Sequence, residues 1–258
     1  MALTKSHKNH ITETIKLCLK NKFQNYRPET ENMPFHYRLL GKDRMALFSF
    51  LQSLNTTFGI SIYEPVAKEL AKIAFKEAST QCKLGNVIAQ DAQNEIQTIM
   101  NSLSMGGEVD KAVETEAIRK VASSGKRNEL KSVKVDLFLV SKQDEVFMFD
   151  LKTVKPNTTD FVSYKRNMLE WLAVYFYQYP KAKVKTFIAI PYNPYEPKPY
   201  ARWTMKGMLD LKEEVKVAEE FWDFLGGKGA YAILLDCFEE AGVALRPEID
   251  SYFSKFKK

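Results

Sequence analysis

Asp136, Asp150 and Lys152 are the residues whose types and spacing can do chemistry. Asp136 opens an apolar run that ends at Val140, and Asp150 and Lys152 close a second run that begins at Val146. Alternate side chains of a strand share a face, so Asp150 and Lys152 project together. A turn centred on Lys142-Gln143-Asp144 sets residues equally distant from Gln143 opposite one another, which places Asp136 against Asp150. Opposed residues of an antiparallel pair have Cβ atoms roughly 5 Å apart. Two carboxylates at that distance repel, and a hard divalent cation such as Mg²⁺ offsets the repulsion. Beside such an ion, Lys152 can orient an attacking water or hold developing negative charge, the needs of phosphodiester hydrolysis. The bland alternative is a hairpin edge with solvated Asp and Lys. The strongly apolar flanks count against it, because a buried carboxylate without a partner is costly.

A hairpin has to present these three groups, and the sequence supplies it. From Lys131 to about Val154 the pattern reads strand, turn, strand. A largely apolar helix follows near 160–178, then a third strand over Val184–Ile190. The segment Pro191–Tyr200 holds four prolines and is expected to be an extended, stiff loop. Helices are expected again near 212–225, 230–241 and 247–256. Ahead of the hairpin the chain reads as mainly helical, with segments near 9–20, 43–54, 62–78, 86–103 and 110–122 and a turn over Asn55–Ser61. The expected fold class is α/β, a small mixed β-sheet flanked by helices with a mainly helical N-terminal half, in one domain over 1–258: a helical part over 1–122 and a catalytic part over 123–258.

Composition sets the surroundings. The 258 residues carry 38 Lys plus Arg against 32 Asp plus Glu, a formal charge of +6, which suits a polyanionic partner without proving one. Cys18, Cys82 and Cys237 have no paired spacing, so neither a disulfide framework nor a thiolate metal site is supported. The polar N-terminus lacks the apolar core of a signal peptide and no run reaches membrane-span length, which points to a soluble, cytoplasmic protein. His7, His10 and His36 are scattered and do not suggest a histidine site. Trp171, Tyr175, Phe176 and Tyr177 fall at helical spacing and read as core or as a subunit interface rather than a base-stacking platform.

Asp136, thirteen intervening residues and then Asp150-Leu151-Lys152 resemble the signature of the PD-(D/E)xK nucleases, with Val135 where the name-giving proline would stand. That resemblance implies a core sheet flanked by helices, Mg²⁺ dependence and direct attack of water on a phosphodiester. Many such nucleases add a carboxylate from a preceding helix, and Glu64 is the best match; Glu69 is a weaker one. Glu64 also has a structural reading, since Ser61 and Glu64 have capping-box spacing and Pro65 suits a first helical position.

The segments Thr57–Glu64, Asp150–Thr153, Arg166–Trp171 and Pro191–Tyr195 together resemble the TdeIII-like type II restriction endonucleases. This implies double-stranded DNA as substrate, a short palindromic site such as GGNCC, and a symmetric homodimer whose two sites cut both strands. Base or phosphate contacts are then expected from Ser123, Lys126, Arg127 and Asn128 ahead of the hairpin, and from Lys198 and Arg202 in and after the proline loop. Lys155, Lys165 and Arg166 are expected to touch phosphates. Both flanking segments have plain alternatives: a solvated basic loop, and tyrosines packed on the fold. Other functions remain open: a repair or junction-resolving nuclease of the same superfamily, or a noncatalytic DNA-binding protein that keeps the fold.

Overall fold

Long apolar runs need cover on both faces, and the central strands receive it. In this computed structural model the described residues are 3–27, 33–152, 160–201 and 205–255. Five strands form one sheet in the order β1 (Glu77–Ala89), β2 (Arg127–Val140), β3 (Val146–Leu151), β4 (Val184–Ile190) and β5 (Val215–Val217). β1, β2 and β3 pair antiparallel, while β3, β4 and β5 are parallel. All six residues of β3 are buried, as expected of a strand covered on both sides.

One face of the sheet packs on α5 (Gln90–Ser104), α6 (Lys111–Val121) and α7 (Asp160–Gln178), through Met148, Leu172, Val174, Phe176 and Ile188. The other packs on α1 (Lys5–Asn25), α4 (Glu64–Ala71), α8 (Glu219–Gly226) and α9 (Ala230–Ser254), through Leu137, Phe149, Phe187 and Trp222. Trp171 and Phe176 are buried and Tyr175 and Tyr177 half-buried, so the aromatic run of α7 belongs to the core. Two further helices, α2 (Pro34–Leu40) and α3 (Lys42–Phe58), lie to one side.

The hairpin register is the one the sequence implies: Leu137 faces Phe149 and Val140 faces Val146. The turn closes through Ser141 N–H to the Glu145 carbonyl, 2.8 Å, with Asp144 at φ +58°. α7 and β4 also lie where the pattern puts them.

Elsewhere the structure corrects the pattern. Residues 77–89, assigned to helix ends and a break, form β1, whose polar side chains and Gly85 hide a strand period. The expected turn over 55–61 is helical: α3 runs through a π-type turn, Gly59–Tyr63, straight into α4. That wider turn precedes Pro65, whose ring and missing N–H an ordinary helix would not accommodate. β5 occupies part of an expected helix. The two expected C-terminal helices are one, α9, continuous through Pro247. Its last turns are held from outside, by Tyr252 and Phe253 against Phe23 and Phe50 and by the Tyr252 hydroxyl donating to the Tyr26 carbonyl, 3.0 Å.

Candidate active site

β3 delivers Asp150 near its end, and the chain continues directly to Lys152. Alternation sends Leu151 into the α4 face of the sheet and Asp150 with Lys152 toward α7. Lys152 Nζ lies 2.6 Å from Asp150 Oδ1 and sits over the Tyr164 ring of α7, 4.7 Å from its centre. Its own N–H donates to the Ala189 carbonyl of β4, 2.9 Å, which fixes the backbone just past the strand.

Asp136 stands on β2, one residue beyond the paired stretch. Its Oδ2 accepts the Leu151 N–H at 2.8 Å, so the carboxylate of one strand is pinned to the backbone of the next. Asp136 lies near enough to Asp150 for the two carboxyl groups to act on one another. Burial pushes the Asp150 carboxyl well above the usual range; Lys152 opposes the shift and Asp136 adds to it.

Glu64 comes in from the first turn of α4. It makes no cap there; Tyr63 precedes it in helical conformation without a side-chain bond to the turn. The Glu64 side chain turns instead to Gln81 of β1, whose Nε2 lies 2.9 and 3.1 Å from its two oxygens and 3.2 Å from Asp136 Oδ1. Glu64 is 2% exposed, and burial raises its carboxyl to about 7, with the Gln81 amide opposing and Asp136 adding.

The structure therefore joins Asp136, Asp150 and Lys152 directly and reaches Glu64 through Gln81. Among the described residues no three His, Cys, Asp or Glu side chains are grouped closely enough to hold an ion by themselves. The reason is visible: the Gln81 amide occupies the space between Glu64 and Asp136, and the Lys152 ammonium covers Asp150. Both donors offset negative charge that a cation would otherwise offset. Gln81 went unrecognised in the sequence because its strand did; its backbone, at φ +51°, is the local signal that the residue is specially placed.

The expected DNA contacts fare unevenly. Ser123, Lys126 and Arg127 are exposed at the start of β2, with Arg127 3.7 Å from Glu129. Asn128 is half-buried, its amide donating to Gln90 Oε1 and Gln93 Oε1. Lys198 is exposed in the proline loop, and Arg166 donates to Gln97 Oε1 at 2.8 Å. Lys155 and Arg202 lie outside the described residues. Lys165 is a correction. It is 0% exposed and paired with Glu114 and with Glu214 (2.8 Å), so it faces the core and cannot reach a phosphate.

Residues 3–242 match the family model described as HinfI, type II restriction endonuclease. The chain is also similar to the type II restriction enzyme MjaII of Methanocaldococcus jannaschii, at 30% identity over 249 residues. That alignment covers 84% of this chain and 64% of MjaII, so the chain spans under two thirds of that relative's length. The type II restriction enzymes HgiCII and HgiEI of Herpetosiphon aurantiacus are each 24% identical over 220 residues, covering 84% of this chain and 80% and 79% of theirs. The family that matches is the HinfI one, where the segment resemblance pointed to the TdeIII-like group.

Proposed function

The chain belongs to the HinfI type II restriction endonuclease family, and from that premise we propose that it is a Mg²⁺-dependent endonuclease that hydrolyses both strands of duplex DNA at a short palindromic site, acting as a homodimer. One observation carries the reading: Asp136, Asp150 and Lys152 meet at the end of a central strand, Lys152 against Asp150 and Asp136 bonded to the Leu151 N–H between them. Asp136 and Asp150 offer oxygen ligands only, already crowded together, and that donor set suits a hard divalent cation. Bound there, Mg²⁺ supplies a polarised phosphate and a water of lowered pKa.

The remaining work falls to the chain's own groups. The Leu151 N–H holds Asp136 in orientation, and the Tyr164 ring and the Asp150 carboxylate hold the Lys152 ammonium. Lys152 orients the attacking water and stabilises charge on the phosphate oxygens as the bond to the leaving oxygen breaks. Glu64, through Gln81, fixes the outer side of Asp136.

Phage DNA incubated with the protein and Mg²⁺ should give a discrete fragment ladder whose sequenced ends define one palindrome, with GGNCC the first candidate. Asp136→Ala and Asp150→Ala should each lower cleavage by a factor on the order of 10³ while leaving the fold intact. Cutting that survives either change would defeat the assignment of roles. Nicking that follows DNA structure instead of sequence would favour a repair or junction-resolving enzyme.

A further inference from the structure

We propose that the outer face of α2 and α3 is the surface on which a second copy of this chain docks. α3 is apolar on two sides. Met45, Ala46 and Phe50 face inward and are buried, and Phe50 stacks on Phe23 of α1 with ring centres 4.8 Å apart. Leu47, Phe48 and Leu51, at 45, 53 and 50% exposure, form a second stripe at spacings of one and four that nothing among the described residues covers. A surface helix ordinarily carries one apolar stripe, turned to the core, so a second stripe on α3 calls for a second partner.

α2 makes the same point more strongly. It has no buried residue, yet Phe35 and Leu39, one turn apart, are each 83% exposed, with Leu40 beside them at 43%. At about 200 Å² per large side chain, these six residues present roughly 700 Å² of apolar surface. The largest apolar patch of a typical monomer is about 300–600 Å². A stable interface buries about 800 Å² per partner, rim included.

The choice of occupant rests on the palindrome-cutting reading above, together with the shape of the patch. An apolar face is complementary to itself across a two-fold axis. The six apolar side chains themselves offer phosphates nothing to pair with, although Arg38, Lys42 and Arg44 are exposed elsewhere on the same two helices. The helical rod that carries the stripe also continues through Gly59–Tyr63 into α4, whose first residue is Glu64. Docking on this face therefore ties the interface to the candidate active site by one unbroken length of helix.

Light scattering on the intact chain should give twice the 29.7 kDa protomer mass. Phe35→Glu with Leu39→Glu should halve it, whereas Val113→Glu, an exposed apolar position on α6, should not. A monomeric wild type, or a double variant that stays dimeric, overturns the proposal. In the unsubstituted protein, amide exchange over residues 34–51 should slow as concentration rises, and exchange that ignores concentration overturns it equally, with no variant required to fold. Asp136→Ala should remain dimeric, so an inactive wild type of dimeric mass would sink the nuclease reading and leave this interface standing.

Discussion

Gln81 is the residue on which the outer half of the site turns. One amide nitrogen reaches both oxygens of Glu64 and one of Asp136, so it holds together two carboxylates that would otherwise repel. Gln81 is itself exposed, and replacing it should cost little stability. Groups that orient metal-binding side chains typically change affinity or activity by about 10–100-fold when lost. Gln81→Ala should therefore reduce the cleavage rate by about that factor, measured under single-turnover conditions, with an unfolding midpoint close to wild type. A rate that stays at the wild-type level would show that Glu64 contributes nothing through this bridge. Tyr164 offers a second check on the inner half. Its ring, not its hydroxyl, lies beneath Lys152, and such contacts contribute about 0.5–2 kcal/mol. Tyr164→Phe should cleave nearly as wild type, and Tyr164→Leu should lose between about two- and thirtyfold.

At the scale of elements, α7 is held to its neighbours by a buried ionic quartet. Lys165 of α7 pairs with Glu114 of α6 and with Glu214, which directly precedes β5; Lys111 of α6 lies 2.7 Å from the other Glu214 oxygen, without hydrogen-bond alignment. Glu214 also accepts the Asp210 N–H at 2.8 Å. Removing one member of such a set leaves a buried charge uncompensated, at a cost of about 3–5 kcal/mol. Lys165→Met should lower the melting temperature on the order of 10 °C. The same group sets a pH dependence. Burial pushes the Glu214 carboxyl up, but Lys111 and Lys165 outweigh it and hold the group below its ordinary value of 4.5. Its contribution is present above 4.5 and is lost as pH falls through the lower folded value. Urea unfolding between pH 7 and 3 should show this loss in the wild type, and Glu214→Gln should remove that share of the slope.

Lys165 also marks how far the sequence could be read. β2, the turn, β3, α7 and β4 were legible because each has a strong pattern of its own: apolar runs bounded by Lys142-Gln143-Asp144, and a helix rich in buried apolar residues. The register, and with it the meeting of Asp136, Asp150 and Lys152, followed from the turn alone. β1 was not legible, since its partner lies more than a helix pair away in sequence and its side chains do not alternate. Gln81 was lost with it. Nor could a lysine two positions before Asn167 announce that it points inward, because its partners Glu114 and Glu214 come from distant segments. Pattern reports local periods; who covers whom is decided by pairings the pattern does not contain.

Taken as one body, the molecule carries part of its positive charge on the outer side of a two-stranded ribbon. β1 and β2 pair from Glu77 opposite Val140 to Ala89 opposite Arg127, with register shifts on either side of Gly85, while β3 reaches only the Leu137–Val140 end of β2. Beyond Asp136 the two strands therefore run past β3 as a ribbon, packed on one side against α5 and α7 through the buried Leu84, Ile88 and Val135, with Lys83, Lys126, Arg127, Lys131 and Lys134 exposed. Its far end is closed tightly: Gln90 N–H donates to the Lys126 carbonyl at 2.8 Å, and Gly125, at φ +81°, leaves room for Asp91 where a Cβ would stand 2.7 Å from its Oδ1. A rigid cationic ribbon that starts at the candidate site is suited to follow a phosphate backbone away from the point of cutting. The Arg127–Glu129 pair, exposed on both sides, is too weak to withhold Arg127 from DNA. Each phosphate neutralised adds about 0.9 to the dependence of log affinity on log salt. With Asp136→Ala as background, so that DNA stays uncut, the further change of Lys126→Ala with Arg127→Ala should flatten that slope by about 2, equally for cognate and random duplexes. An unchanged slope would place the duplex off the ribbon, and a loss confined to one sequence would mean that these residues read bases instead.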